Sequence, residues 1–202
     1  MAFAIENLME AIVPRKSDAR GKMIRAAAEL FQRQGYHGTG MAEILERSGA
    51  PKGSIYHHFP QGKEQIALEA VAHAGREIRA LVAKCFANSG DSNEAFGCLA
   101  GSLATWFDTA TNGTGCPIAA VLLDTSDASP ALRDACGAAF RSWAYEVEMA
   151  ALSWGYSSSD AAFLANATVM NMEGAWLMAR ATASSEPFQN AARICSVAAR
   201  HR

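Results

Sequence analysis

The longest apolar runs in this chain are broken by charges well before the ~18–20 residues that a membrane span needs. Its opening, MAFAIENLMEAIVPRK, sets Glu6 and Glu10 ahead of the first bases, the reverse of a secretory signal. A cytoplasmic protein with no membrane partner is the expectation. Period-two alternation never lasts long enough for a strand, and aromatics are only 8% of the residues, which favours close-packed helices over a β-sandwich. Cysteine is sparse: Cys85, Cys98, Cys116, Cys136 and Cys195 are widely spaced, odd in number and without a CxxC. That argues against a disulfide framework or a zinc ribbon. The five read as small buried hydrophobes, with Cys116, just ahead of a proline, the most accessible. GxSxG, P-loop, HExxH and Rossmann patterns are all missing, and the carboxylates are scattered. No catalytic residue, no cofactor and no enzyme is expected. The adjacent pair His57–His58 is a poor metal site, because neighbouring helical residues point about 100° apart and no carboxylate or thiol lies near in sequence.

What is present is a core and an uneven charge. Half of the 202 residues are hydrophobic, enough for one large domain or a small domain fused to a larger one. The net charge is −2, yet residues 15–63 hold nine Lys/Arg against four Asp/Glu, and residues 64–202 hold nine against fourteen. A basic front on an acidic back is the asymmetry of a small DNA-contacting unit on a regulatory body.

Helical spacing is clear from Ser17, a plausible N-cap, through SDARGKMIRAAAELFQRQ, where Met23, Ile24, Ala27, Leu30 and Phe31 share a face. Gly35 ends that helix. Thr39 can cap a second, GMAEILERS, and Pro51 can open a very short third, about Lys52 to His58, anchored by Ile55 and Phe59. Two short helices joined through Gly49 have the form of a helix-turn-helix. Longer helical stretches follow at about 62–88, 94–111, 118–124, 130–154, 160–183 and 185–200, separated by NSGDSNE, TNGTGCP, TSDASP, GYSSSD and SSEP. Residues 1–16 form an N-terminal arm, 17–62 the reader and 63–202 the body. Arg15, Lys16, Arg20 and Lys22 fit a phosphate-tracking arm or a solvated surface equally well.

The stretch GYHGTGMAEILERSGAPKGSIYHHFPQGKEQI, residues 35–66, closely resembles the TetR-family DNA-binding domain. The extra residue in FPQGKE and the later GCPIAAVLLDTSDASPALRDAC resemble the LmrA/YxaF-like branch. The resemblance implies an all-α homodimer with an N-terminal helix-turn-helix and a C-terminal helical ligand-binding and dimerisation domain. It implies a repressor that leaves a palindromic, double-stranded operator when a small, aromatic or hydrophobic effector binds. A ligand-independent architectural DNA binder is the alternative.

The residues agree with that placement. Lys52, Gly53, Ser54, Tyr56 and His57 sit on a short helix with little else to do; Lys52, Tyr56 and His57 suit phosphates or base edges, and Gly53 lets the backbone approach. Thr39 offers a hydroxyl and an N–H to a phosphate, and Lys63 opens the next helix beside free N–H groups. Gly40 stands where the family commonly has Thr or Ser, so that contact is absent. His58 reads as packed rather than reading, and Phe59 as core. In the body, Trp106, Trp143, Trp176, Met149 and Met170, with Cys116 and Glu173, can line a deformable pocket. Each can equally be core. Buried in an apolar helix, Glu173 would need a partner. The alanines of 160–200 suit a two-fold interface or internal packing. Ligand binding is expected to shift the helix at 62–88 and so change the spacing of the two readers.

Overall fold

The computed structural model describes residues 18–51, 53–109 and 114–200, and every regular element among them is a helix. Helix α1 (Ala19–Gln34) buries Met23, Ala26, Ala27, Leu30 and Phe31, the i, i+3, i+4, i+7, i+8 face of an amphipathic helix. Its start lies at Asp18, so the Ser17 cap falls outside the described residues. Helix α2 (Met41–Ser48) begins at Gly40 rather than at a Thr39 cap, and ends at Gly49, which takes the left-handed φ of 62° that a tight turn requires. Helix α3 (Ser54–His58) starts three residues later than Pro51 suggested, after Gly53 at φ 85°. Ile44, Ile55 and Phe59 are fully buried and hold these short helices against α1.

Helix α4 (Lys63–Ala87) runs from this reader into the body. The body is completed by α5 (Ser92–Thr109), α6 (Pro117–Thr125), α7 (Pro130–Ser153), α8 (Ser158–Thr182) and α9 (Glu186–Ala198). The starts of α7 and α8 are built by the rules of helix entry: the hydroxyls of Ser129 and Ser157 accept from Leu132 N and Asp160 N, and Pro130 takes the first position of α7. Helix α4 packs along α7, α7 along α8, and α9 closes over α5 and α8. Gly75 permits a close approach of α4 to α7: a Cβ there would sit 3.1 Å from Ala139 Cβ. The Trp143 indole N–H uses the same gap to donate to Gly75 O at 2.9 Å.

Two expectations are corrected here. Cys85 and Cys98 form a disulfide, their Cα atoms 5.5 Å apart. The sequence interval between them is the α4–α5 turn, which folds the two helices back together; spacing along the chain hides that. Cys116 is not accessible but 4% exposed, sealed at the entry to α6. Cys136 and Cys195 are buried thiols, as expected.

Candidate nucleic-acid interface and inner cavity

Helix α3 presents Tyr56, 64% exposed, and His57, also exposed, to solvent, while Phe59 is sealed beneath with Arg20 stacked over its ring at 5.3 Å. His58 is half-buried and edge-on to His57, ring centres 5.3 Å apart. Gly53 is exposed with open space around it. Ser54 donates its hydroxyl to Pro51 O at 2.7 Å, leaving only its lone pairs for a partner. Lys52 lies outside the described residues, as do Arg15 and Lys16.

Two expected phosphate contacts look different in three dimensions. Thr39 is 1% exposed; its hydroxyl donates to Gly35 O at 2.8 Å and its N–H to Tyr36 O at 3.3 Å. Both donors are engaged within the turn, which Thr39 locks. Lys63 lies over the Tyr36 ring at 4.4 Å. Burial lowers its pKa and the Asp124 charge opposes that, so Lys63 is a half-buried cation shared with the body.

Asp124, at the C-terminal end of α6, is the hub of that contact. Its carboxylate accepts from His37 N at 3.1 Å, and its carbonyl oxygen bonds His37 Nε2 at 2.9 Å. At the other end of α6, Gln32 Nε2 of α1 donates to Gly115 O at 2.7 Å. Helix α6 is therefore tied to the reader at both ends. Sequence reading missed this pairing, because nothing local marks Asp124 or Gln32.

Cys116, next to Gly115, faces Glu173 of α8. Glu173 stands beside a small apolar cavity of about 30 Å³ between α4, α5, α7 and α8, with Ile78, Leu103, Trp143, Met172 and Trp176 around it. Burial pushes its pKa up to about 7, against a hydrogen bond from the Cys116 thiol. The thiol is itself pushed far up, by burial first and by the Glu173 charge second. The structure thus brings together Trp143, Glu173, Trp176 and Cys116. It does not bring Trp106, Met149 or Met170 to the cavity. Trp106 meets Trp176 edge-on at 5.6 Å but lines a separate cleft with Gln32 and Pro117. Met149 is exposed on α7, and Met170 lines an outer groove of α8 and α9.

A short helix-turn-helix joined through one long helix to an all-helical body defines a transcription regulator of the helix-turn-helix class. The family model described as bacterial regulatory proteins, tetR family, matches residues 23–70, and that of the transcriptional regulator LmrA/YxaF-like C-terminal domain matches residues 92–194. The chain belongs to the TetR family and, through its body, to the LmrA/YxaF-like branch. It is 38% identical over 170 residues to the HTH-type transcriptional regulator LmrA of Bacillus subtilis, covering 84% of this chain and 90% of that one. It is 40% identical over 128 residues to the B. subtilis regulator YxaF, covering 63% and 67%. Among solved structures, a TetR regulator from Chloroflexus aurantiacus superposes with a TM-score of 0.76 at 26% identity, over 92% of this chain and 96% of that one. The protein is a transcription regulator, not an enzyme.

Proposed function

We propose that this protein is a repressor that binds a palindromic operator as a homodimer and is released by a small apolar or aromatic effector held in the α4–α5–α7–α8 cavity. Tyr56 and His57 read the major groove, with Gly53 allowing close approach and Ser54 and Lys52 beside them. One five-residue helix makes too few contacts for operator affinity; two, set about 34–36 Å apart on a two-fold, suffice. The observation that carries the effector coupling is α6. One end of it touches the cavity through Cys116 and Glu173, and both ends are hydrogen-bonded to the reader. An effector that displaces Cys116 moves α6, and α4 beside it, and so changes the spacing of the two readers.

The partner surface is supported by α8 and α9. Phe163, Met170 and Leu177 recur every seventh residue on α8 and are 66%, 66% and 69% exposed. Ile194 and Val197 on α9 continue the same apolar face. Such a stripe belongs against a second copy in a four-helix contact. Most of the alanines of this region are instead buried inside the protomer, so large side chains, not small ones, make the interface.

The test is binding to the DNA flanking the protein's own gene, by wild type and Tyr56→Ala, at stated salt. Tight palindromic binding lost in the variant is the expected result. Salt-sensitive binding blind to sequence would overturn the repressor reading in favour of a general DNA binder.

A further inference from the structure

The Cys85–Cys98 bridge joins two unlike cysteines across the α4–α5 turn. Cys85 is 2% exposed, whereas Cys98 lies open to solvent on α5. Cys116, Cys136 and Cys195 are buried thiols, so Cys98 is the one exposed cysteine of the five. A bacterial transcription regulator works where the DNA is, and that compartment is kept reducing by thiols. A disulfide found there is uncommon, and is more often transient or redox-sensing than a permanent staple. An exposed sulfur is also what thiol–disulfide exchange needs in order to begin.

The bridge sits where small movements are magnified. Helix α4 meets the reader at Lys63 and carries Cys85 near its far end. About 33 Å of helix separates the two, so a tilt of about 5° at Cys85 moves the start of α4 by about 3 Å. Besides the bridge, this end is held by Phe86. Its ring meets Phe96 of α5 edge-on at 5.4 Å and stacks with Trp154, just past α7, at 5.9 Å. Apolar contacts of this kind let a helix pivot; a covalent bridge fixes α4 to α5. Helix α5 packs in turn against α9, the helix that bears Ile194 and Val197 of the outer apolar face.

We propose that Cys85 and Cys98 form a thiol–disulfide switch, exchanged with a low-molecular-weight thiol of the glutathione class, that sets operator affinity by fixing the body end of α4. The inference rests on the protein being an operator-binding regulator. Closing takes two exchanges. The Cys98 thiol gives its proton to solvent, and the thiolate attacks glutathione disulfide, forming a mixed disulfide and expelling one glutathione thiolate. The Cys85 thiol then loses its proton, and its sulfur attacks Cys98 Sγ and expels the second. Two protein thiols lose two electrons and two protons, and one glutathione disulfide becomes two thiols. Opening is the reverse, beginning with a glutathione thiolate at Cys98 Sγ, because burial shields Cys85 from the first attack. The closed bridge narrows the range of reader positions, so less ordering remains when two half-sites are bound. The closed form therefore binds the operator more tightly.

The test equilibrates the full-length protein in glutathione buffers running from reduced to oxidised. Each sample is acid-quenched, denatured and alkylated for a thiol count by mass. Each is also titrated with the DNA flanking the protein's own gene, at one salt concentration. The count should pass from five free thiols to three as the bridge closes. Affinity for that DNA should fall about five- to tenfold as the bridge opens. It should follow the same curve, return on re-oxidation, and leave helicity by circular dichroism unchanged. Cys98→Ala, and the double variant Cys85→Ala/Cys98→Ala, should bind like reduced wild type in every buffer. A thiol count that stays constant across the buffers refutes the exchange. A bridge that opens while affinity holds constant refutes the switch and leaves operator binding standing. Redox-dependent affinity that survives in the double variant refutes the assignment to this pair. No sequence-specific binding in any buffer removes the operator reading, and the switch with it.

Discussion

Glu173→Gln carries a stability prediction that needs no ligand. Burial raises the Glu173 pKa from its ordinary 4.5 to about 7. Between those values the folded chain holds a proton that the unfolded chain has released, so stability falls as pH rises through that window and stays low above it. A gap of that size is worth about 3 kcal/mol at pH 8. Gln keeps the shape and cannot ionise. Urea unfolding of wild type and variant at pH 5 and pH 8 gives four free energies, and the variant's own packing effect cancels in their double difference. Relative to the variant, wild type should lose about 2.5 kcal/mol between the two pH values. A double difference near zero would show that Glu173 titrates like a solvated acid, and the desolvated cavity described above would be wrong.

Four further outcomes follow from single contacts. Asp124→Ala removes the acceptor for His37 N and the charge beside Lys63; it should cost about 1–2 kcal/mol of stability and weaken the effector's influence on operator affinity, seen by titrating DNA with and without effector. Gly53→Ala has open space for its methyl but must hold φ 85°, so a loss of about 1–2 kcal/mol should appear in a chemical melt. Leu177→Lys places a charge on the outer stripe of α8 and should shift sedimentation from dimer to monomer with helicity unchanged. Cys98→Ser opens the Cys85–Cys98 bridge; the loss should be about 3 kcal/mol, as expected for so short a loop, and adding reductant to wild type should reproduce it.

Much of the architecture was readable along the chain because its rules are local. Gly35, Gly49 and Gly62 mark turns by their backbone freedom, Pro130 and Ser129 mark a helix start, and the Met23–Phe31 face marks the first core helix. The element bounds at 62–88, 94–111 and 130–154 differ from α4, α5 and α7 by one or two residues at most ends, which is ordinary fraying. The inner site was half legible. Glu173 stood out as a charge inside an apolar helix, and Trp143 and Trp176 as large aromatics. Met149 and Met170 have the same composition signal but lie on outward faces, and only packing distinguishes the two cases. Thr39 does not cap the second helix because the carbonyl of Gly35 that takes its hydroxyl is set by the conformation between, which no local rule supplies. The bonds of Gln32 to Gly115 and of His37 to Asp124 span more than eighty residues, beyond any local rule. The disulfide went unseen for a related reason: the cysteines meet only once the turn after α4 closes.

The nine residues of α6, Pro117–Thr125, serve two masters, and this limits how the protein can evolve. Substitutions at its cavity end that admit a new effector also load the hydrogen bonds at Gly115 and Asp124. Substitutions that tune the reader's resting position through those bonds feed back on the shape of the cavity. Under the proposed coupling through α6, effector choice and operator affinity are not separately adjustable traits in this chain. Adaptation to a new effector should arrive as paired changes, one in the wall around Glu173 and one at the α1–α6 seam that restores the reader.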